Sequence, residues 1–394
     1  GLFVGLSVGA NVMVSAYLGQ KDEERVRRTV GTSLLVAVIV GIALIFVGVF
    51  GAKTFLEWMS CDENVIDMSA TYLKIYFIGM PVMMVYNFCA AILRAAGETV
   101  KPLVYLTIGG VVNVILNVFF VLVLQKNVEG VAIATVVSQC ISAACCIVLL
   151  LKSKGALQLR FKYLRIYREQ LWEMIKIGVP SGLQGCLFSI SNVVVQSSVN
   201  SFGEYVMAGN SYSQQIESVV YQAMNGVSLS ALSFVGQNYG AGKYDRIKKI
   251  VLECVLLVTA VGVVLGGLAV LLAKPIVGLI TDDAYVVDVA AKQLLIVCAP
   301  YFLCGIMEVY SFTLRGFGKS TSSMLINLFG TCVFRLVWIK VMLGIIDEVY
   351  IIYWVYPISW FLAAAGMIIY YEIVIRKLIK KNDIEDLVTE EDEP

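Results

Sequence analysis

With 394 residues, 59% of them hydrophobic and only 15% charged, and a mean hydropathy of +0.82, the chain lies far from a soluble domain, in which about 25% of residues are charged. Its net charge of +1 points to no class of partner. The absence of any histidine excludes imidazole metal sites, catalytic triads and imidazole proton relays. The ten cysteines form no CxxC pair and mostly sit in apolar runs, where they read as small packing residues.

Apolar runs long enough to cross a bilayer, roughly 20 residues each, predict eleven helices. In chain order they cover 1–18, 30–50, 66–92, 102–124, 130–151, 172–201, 205–235, 250–272, 286–313, 322–345 and 349–375. Loops assigned alternately to two sides sort the basic residues 22 against 3, the minority being Lys53, Lys126 and Lys274. The positive-inside rule then places the basic side, from Lys21–Arg28 through Lys152–Arg168 to Arg376–Lys381, in the cytoplasm. The opposite loops carry acids instead: Asp62, Glu63, Asp282, Asp283, Asp347 and Glu348.

Two stretches recur 221 residues apart. The segment from Gly19 to Arg28 aligns with Gly240 to Lys249, and Leu93-Arg94-Ala95-Ala96-Gly97 aligns with Leu314-Arg315-Gly316-Phe317-Gly318. Both copies keep one orientation, so the repeat is parallel, with a pseudo-two-fold axis along the membrane normal. The same offset puts the partner of the helix 172–201 before residue 1. The expectation is therefore an all-α membrane protein showing eleven of twelve transmembrane helices in two six-helix lobes, N-terminally truncated, with both full-length termini cytoplasmic. Residues 1–151 form the first lobe, 152–171 a cytoplasmic linker along the headgroups, 172–376 the second lobe, and 377–394 a disordered acidic tail.

The motifs resemble the multidrug and toxic compound extrusion (MATE) family, in particular its DinF-like bacterial branch. The resemblance rests on Gly9-Ala10-Asn11, Tyr17-Leu18-Gly19, Leu93 to Thr99, Asn113 to Asn117, Ile177 to Gly182, Gln215-Ile216-Glu217-Ser218, Gly305 to Val309 and Leu314 to Gly318, and it runs through the chain in order. It implies a secondary exporter of organic cations or drugs, multi-pass in the plasma membrane and monomeric. Such an exporter is driven by inward Na+ or H+ and rocks around a central cavity. It implies no cofactor beyond the coupling ion, and the lipid bilayer and a small cationic substrate as partners. The chain departs from the family where the best-known coupling acid sits, on a first helix not present here, and 177–201 carries no acid.

Ionisable groups inside a bilayer are costly, at least about 2.5–3.5 kcal/mol at its centre, and so default to functional candidates. Glu308, Glu217 and Arg335 are the three. The 221-residue offset pairs Glu308 with Asn87. Glu308 reads as an exchangeable counter-charge for a cationic cargo, or alternatively as half of a structural pair with Arg335; the same alternatives hold for Glu217. Asn192 and Gln196, one turn apart with Ser189 on the same face, either line a cavity or bond neighbouring helices. A lipid-linked oligosaccharide flippase is the alternative transporter. An enzyme is not expected, because no convergent catalytic groups occur, and neither is a nucleic-acid partner.

Overall fold

In the computed structural model, the described residues are 1–58, 65–126, 128–346 and 348–391, excluding the side chains of Trp58 and 382–391. Asp62, Glu63 and Asp347, named above as loop acids, lie outside them. Among the described residues the chain consists of helices joined by turns and short connections, with no strand. The helices are α1 (Leu2–Gly19), α2 (Glu23–Trp58), α3 (Ile66–Ile78), α4 (Met80–Ala95), α5 (Val100–Val118) and α6 (Val128–Lys152). They continue with α7 (Arg168–Asn200), α8 (Glu204–Gly240), α9 (Tyr244–Leu271), α10 (Ala273–Gly278), α11 (Ala284–Cys298) and α12 (Phe302–Gly316). The last are α13 (Ser320–Asn327), α14 (Phe334–Met342), α15 (Val349–Tyr353) and α16 (Val355–Glu391). A π-helical turn, Leu328–Val333, joins α13 to α14, and another, Phe119–Val123, ends α5.

Among the described residues eight helices are long and apolar enough to span a membrane, and two bent pairs, α3 with α4 and α11 with α12, reach that standard together. The remaining expected span, 205–235, is helical as part of α8. Its hydropathy is lowered by Asn210, Gln214, Gln215, Glu217 and Gln222. Large apolar side chains such as Phe50, Val114, Leu122, Leu256 and Leu271 stand exposed along the spans, as a lipid-facing surface requires.

The chain divides into two units, residues 3–179 and residues 1–2 with 180–394. The division falls at Pro180 inside α7 rather than at the connection 152–171. Within the first unit, Gly9 and Gly178 explain the later boundary. A Cβ on Gly9 would lie 2.6 Å from the Met174 carbonyl oxygen, and one on Gly178 2.6 Å from Leu6 Cα. Only glycine lets α1 and the start of α7 approach so closely. The core there joins Ala10, Met13, Phe88, Ile92, Leu150 and Met174. The other unit packs one cluster around Met224, Leu294, Met307 and Tyr353, and another around Val235, Leu314, Met367 and Tyr371.

The connection 152–167 is clamped on α2. Tyr163 Oη donates to Glu24 at 2.8 Å, Thr32 Oγ1 donates to the Arg165 carbonyl and accepts from Tyr167 N, and Arg28 and Arg165 both stack on Tyr167. The stretch expected to be disordered from 377 continues α16 as helix through Glu391, and 392–394 lie outside the described residues. The reason is visible at its start: Leu378 and Ile379 extend the apolar stripe of Tyr371 and Ile375 onto the same core cluster.

The repeat is written into the backbone of each unit. The α3–α4 pair bends by 46° and the α11–α12 pair by 45°, with Pro81 and Pro300 beside the two breaks supplying the cause. Glu98 N donates to Leu93 O at 3.0 Å and Lys319 N to Leu314 O at 2.9 Å, closing a Schellman cap around left-handed Gly97 (φ +86°) and Gly318 (φ +72°). The same cap ends α1 and α8, where Lys21 (φ +59°) stands in the position that Gly242 (φ +68°) holds 221 residues later. Beside Gly97, the Lys101 ammonium donates to Glu98 at 2.7 Å and holds that carboxyl below its usual range.

A Cβ on Gly97 or Gly318 would touch nothing within 4 Å, so only the backbone sets the effect of a substitution. Gly97→Ala and Gly318→Ala should each destabilise by about 1–2 kcal/mol, and Lys21→Gly should act in the opposite direction. Thermal unfolding of the purified protein in detergent measures all three.

Candidate functional site

Asn192, Gln196, Glu217, Glu308 and Arg335 line one cavity of about 640 Å3 within the unit 180–394. They come from four helices: α7, α8, α12 and α14. Asn87 belongs to the other unit, where its amide donates to the Met83 carbonyl of its own helix at 2.8 Å. Ser189 donates to the Gly185 carbonyl one turn back at 3.1 Å. The matching positions therefore carry different chemistry: an acid on a cavity wall in one repeat, and in the other an amide that donates to its own helix.

Arg335 is 2% exposed, and its bonded partners are neutral. Its Nη1 donates to Asn192 Oδ1 at 3.0 Å and its Nε to Ser359 Oγ at 3.1 Å, while the guanidinium lies over the Tyr356 ring at 4.7 Å. The π-helical turn that ends at Val333 sets this direction. One extra residue in that turn rotates everything after it by about 100° relative to an uninterrupted α-helix. Among the described residues no carboxylate pairs with Arg335, and the ion pairs that do form, such as Arg27 with Glu23, involve none of Glu217, Glu308 or Arg335. The structural-pair alternative for these acids is not what the molecule builds.

Glu217 on α8 accepts from Tyr301 Oη at 3.0 Å. Glu308 is 8% exposed and has no hydrogen-bond or ion-pair partner among the described residues; its charge interacts with Arg315, two turns further along α12, and with Tyr221. The bend at Pro300 starts α12 so that Tyr301, Cys304 and Glu308, at i, i+3 and i+7, fall on one face toward the cavity. Gln196 both lines the cavity and ties α7 to α8, accepting from Asn210 at 2.7 Å and Gln214 at 2.9 Å and donating to Asn200 at 2.7 Å. It therefore fulfils both of the roles left open by the sequence.

Sequence reasoning missed the aromatic wall. Tyr301 packs on Trp360 with centroids 5.1 Å apart, and Tyr356 on Trp360 at 5.8 Å. Spacing held a signal, since Tyr356 and Trp360 are one turn apart, as are Glu217 and Tyr221, but such pairs are equally common in apolar cores. A second polar cluster was also missed. It joins Gln184, Ser311, Ser323 and Asn327, all buried and bonded between helices.

An all-helical membrane fold built twice over, with charged and aromatic groups around a cavity inside one repeat, is the architecture of a solute transporter. A family model described as MatE matches residues 1–119 and 180–341, and the chain belongs to that family. It is 28% identical over 333 residues to the probable multidrug resistance protein YoeA of Bacillus subtilis, a match covering 83% of this chain and 72% of that one. It is 20% identical over 378 residues to the multidrug export protein MepA of Staphylococcus saprophyticus, covering 96% and 83% respectively. Among solved structures, an outward-facing multidrug resistance MATE family transporter of the MOP superfamily superposes with a TM-score of 0.90 at 19% identity, covering 96% of this chain and 85% of that one; this is a likeness of fold.

Because Glu308 and Arg335 line one cavity without forming an ion pair, a double-mutant cycle of Glu308→Gln and Arg335→Gln, read by thermal unfolding, should give an interaction energy below about 1 kcal/mol, well short of the roughly 3 kcal/mol that bonded neighbours reach. Rescue of one variant by the other would contradict the geometry.

Proposed function

We propose that the chain is a secondary active exporter of organic cations or drugs, exchanging them for Na+ or H+ at Glu308 with rocking alternating access. The observation that carries this reading is the setting of Glu308: a carboxylate on a cavity wall inside a membrane fold, with no bonded partner. Such a charge demands neutralisation. A proton, a sodium ion or an organic ammonium each supplies it, and two of these cannot do so at once. Mutually exclusive occupancy of one site, opened first to one side and then to the other, is the requirement for antiport.

The aromatic wall of Tyr301, Tyr356 and Trp360 supports an organic cargo, since ring faces attract cations and bury apolar surface. The bends at matching places in both units are suitable joints for rocking. The names borne by YoeA and MepA agree with drug export. On this reading the protein works as a monomer in the plasma membrane, with the loops rich in Lys and Arg facing the cytoplasm. The flippase alternative gains no support: one arginine beside two carboxylates offers little to a pyrophosphate.

The test is efflux of a fluorescent organic cation from proteoliposomes under an imposed Na+ or pH gradient. Movement driven by one gradient and lost in Glu308→Gln, with insertion and thermal stability unchanged, is the expected result. Efflux that survives in Glu308→Gln removes that residue from the mechanism, and no efflux under either gradient removes antiport.

A further inference from the structure

Arg335 is a fixed positive charge in the cavity of a proposed cation exporter, which is a contradiction if the cargo is only a cation. A structural salt bridge would resolve it, but none forms. Of the guanidinium's five N–H donors, one goes to Asn192 Oδ1 and one to Ser359 Oγ, both neutral acceptors, and the others have no partner among the described residues. Tyr356 supports the flat face of the group at 4.7 Å. The fork is thus held rigidly from one side while its charge remains uncompensated by any bonded carboxylate.

The acids of the cavity are engaged elsewhere or not at all. Glu217 takes the Tyr301 hydroxyl at 3.0 Å, and although it lies within electrostatic reach of Arg335 it makes no bond to it. Glu308 lines the same cavity and has no bonded partner among the described residues. Glu217, Glu308 and Arg335 line the same cavity together with Cys304 of α12, so the three charges share one space. Opposite charges in one cavity, kept apart by neutral hydrogen-bond partners, form a complement to a ligand with both signs.

We infer that the cavity selects zwitterionic cargo, an organic ammonium that also bears a carboxylate, with Arg335 as the specificity-determining residue for the acid. The ammonium goes to Glu308 or Glu217 and the carboxylate to the unused donors of Arg335. A guanidinium suits this role because its donors match the two oxygens of a carboxylate. This inference rests on the exporter reading of the cavity and narrows its substrate class.

The test is equilibrium binding to the purified full chain, by fluorescence polarisation, of a carboxylate-bearing cationic xanthene dye and of its methyl ester. The two probes differ only in the free acid. Wild type should bind the zwitterion at least about tenfold more tightly than the ester. Arg335→Gln should erase the difference by weakening the zwitterion alone, and Arg335→Lys, which keeps the charge but loses the fork, should retain part of it. Equal binding by wild type overturns the inference without any variant, and so does a preference that persists in Arg335→Gln. If wild type binds neither dye, the exporter reading falls and this inference falls with it. If Glu308→Gln binds both dyes as wild type does while Arg335→Gln erases the preference, the assignment of Glu308 is wrong and that of Arg335 stands.

Discussion

A charge within a membrane fold must be answered by something, and here Arg335 is answered by dipoles and a ring face rather than by an acid. Had Glu217 or Glu308 closed onto it, the guanidinium would be neutralised and only one carboxylate left, and the cavity would offer nothing to the acid of a ligand. Asn192, Ser359 and Tyr356 instead hold the guanidinium without cancelling it. The helices that meet at the cavity are positioned so that this separation persists: α7 brings Asn192, α16 brings Ser359 and Tyr356, and α8 and α12 bring the acids.

The repeat supplies the scaffold for that arrangement and the asymmetry gives it a purpose. Both units contain a helix pair bent by nearly the same angle and caps closed by the same hydrogen bonds. On that common frame, one unit carries Glu308 and the other Asn87, a neutral amide that donates to its own helix. An amide that bonds its own backbone makes no demand on a ligand. A lone carboxylate does, so the two halves share a shape without sharing a chemistry.

Much of this was legible in the chain. The spans followed from apolar length, because a bilayer admits few other solutions. The 221-residue offset marked Leu93 to Gly97 and Leu314 to Gly318 as equivalent, and both segments close the same cap around a left-handed glycine. Five of the six candidate residues lie on one cavity because polar groups in apolar spans are rare enough to be noticed one by one. The clamp of 152–167 on α2 and the helical tail were not legible, because charge and polarity describe a segment's solvent preference and not the surface it can reach.

The sequence by itself determined the class of molecule, the number of copies of the fold and which side chains carry charge inside it, all of which depend on composition and spacing along the chain. Tertiary structure alone decided the partners. Whether Arg335 met Glu308, Glu217 or neither turned on a π-helical turn ending at Val333 and on the bend at Pro300, which set rotations about two helix axes. Those rotations leave almost no trace in hydropathy or motif, because a change of about 100° moves a side chain to another face while leaving every residue type and every interval in the sequence unchanged.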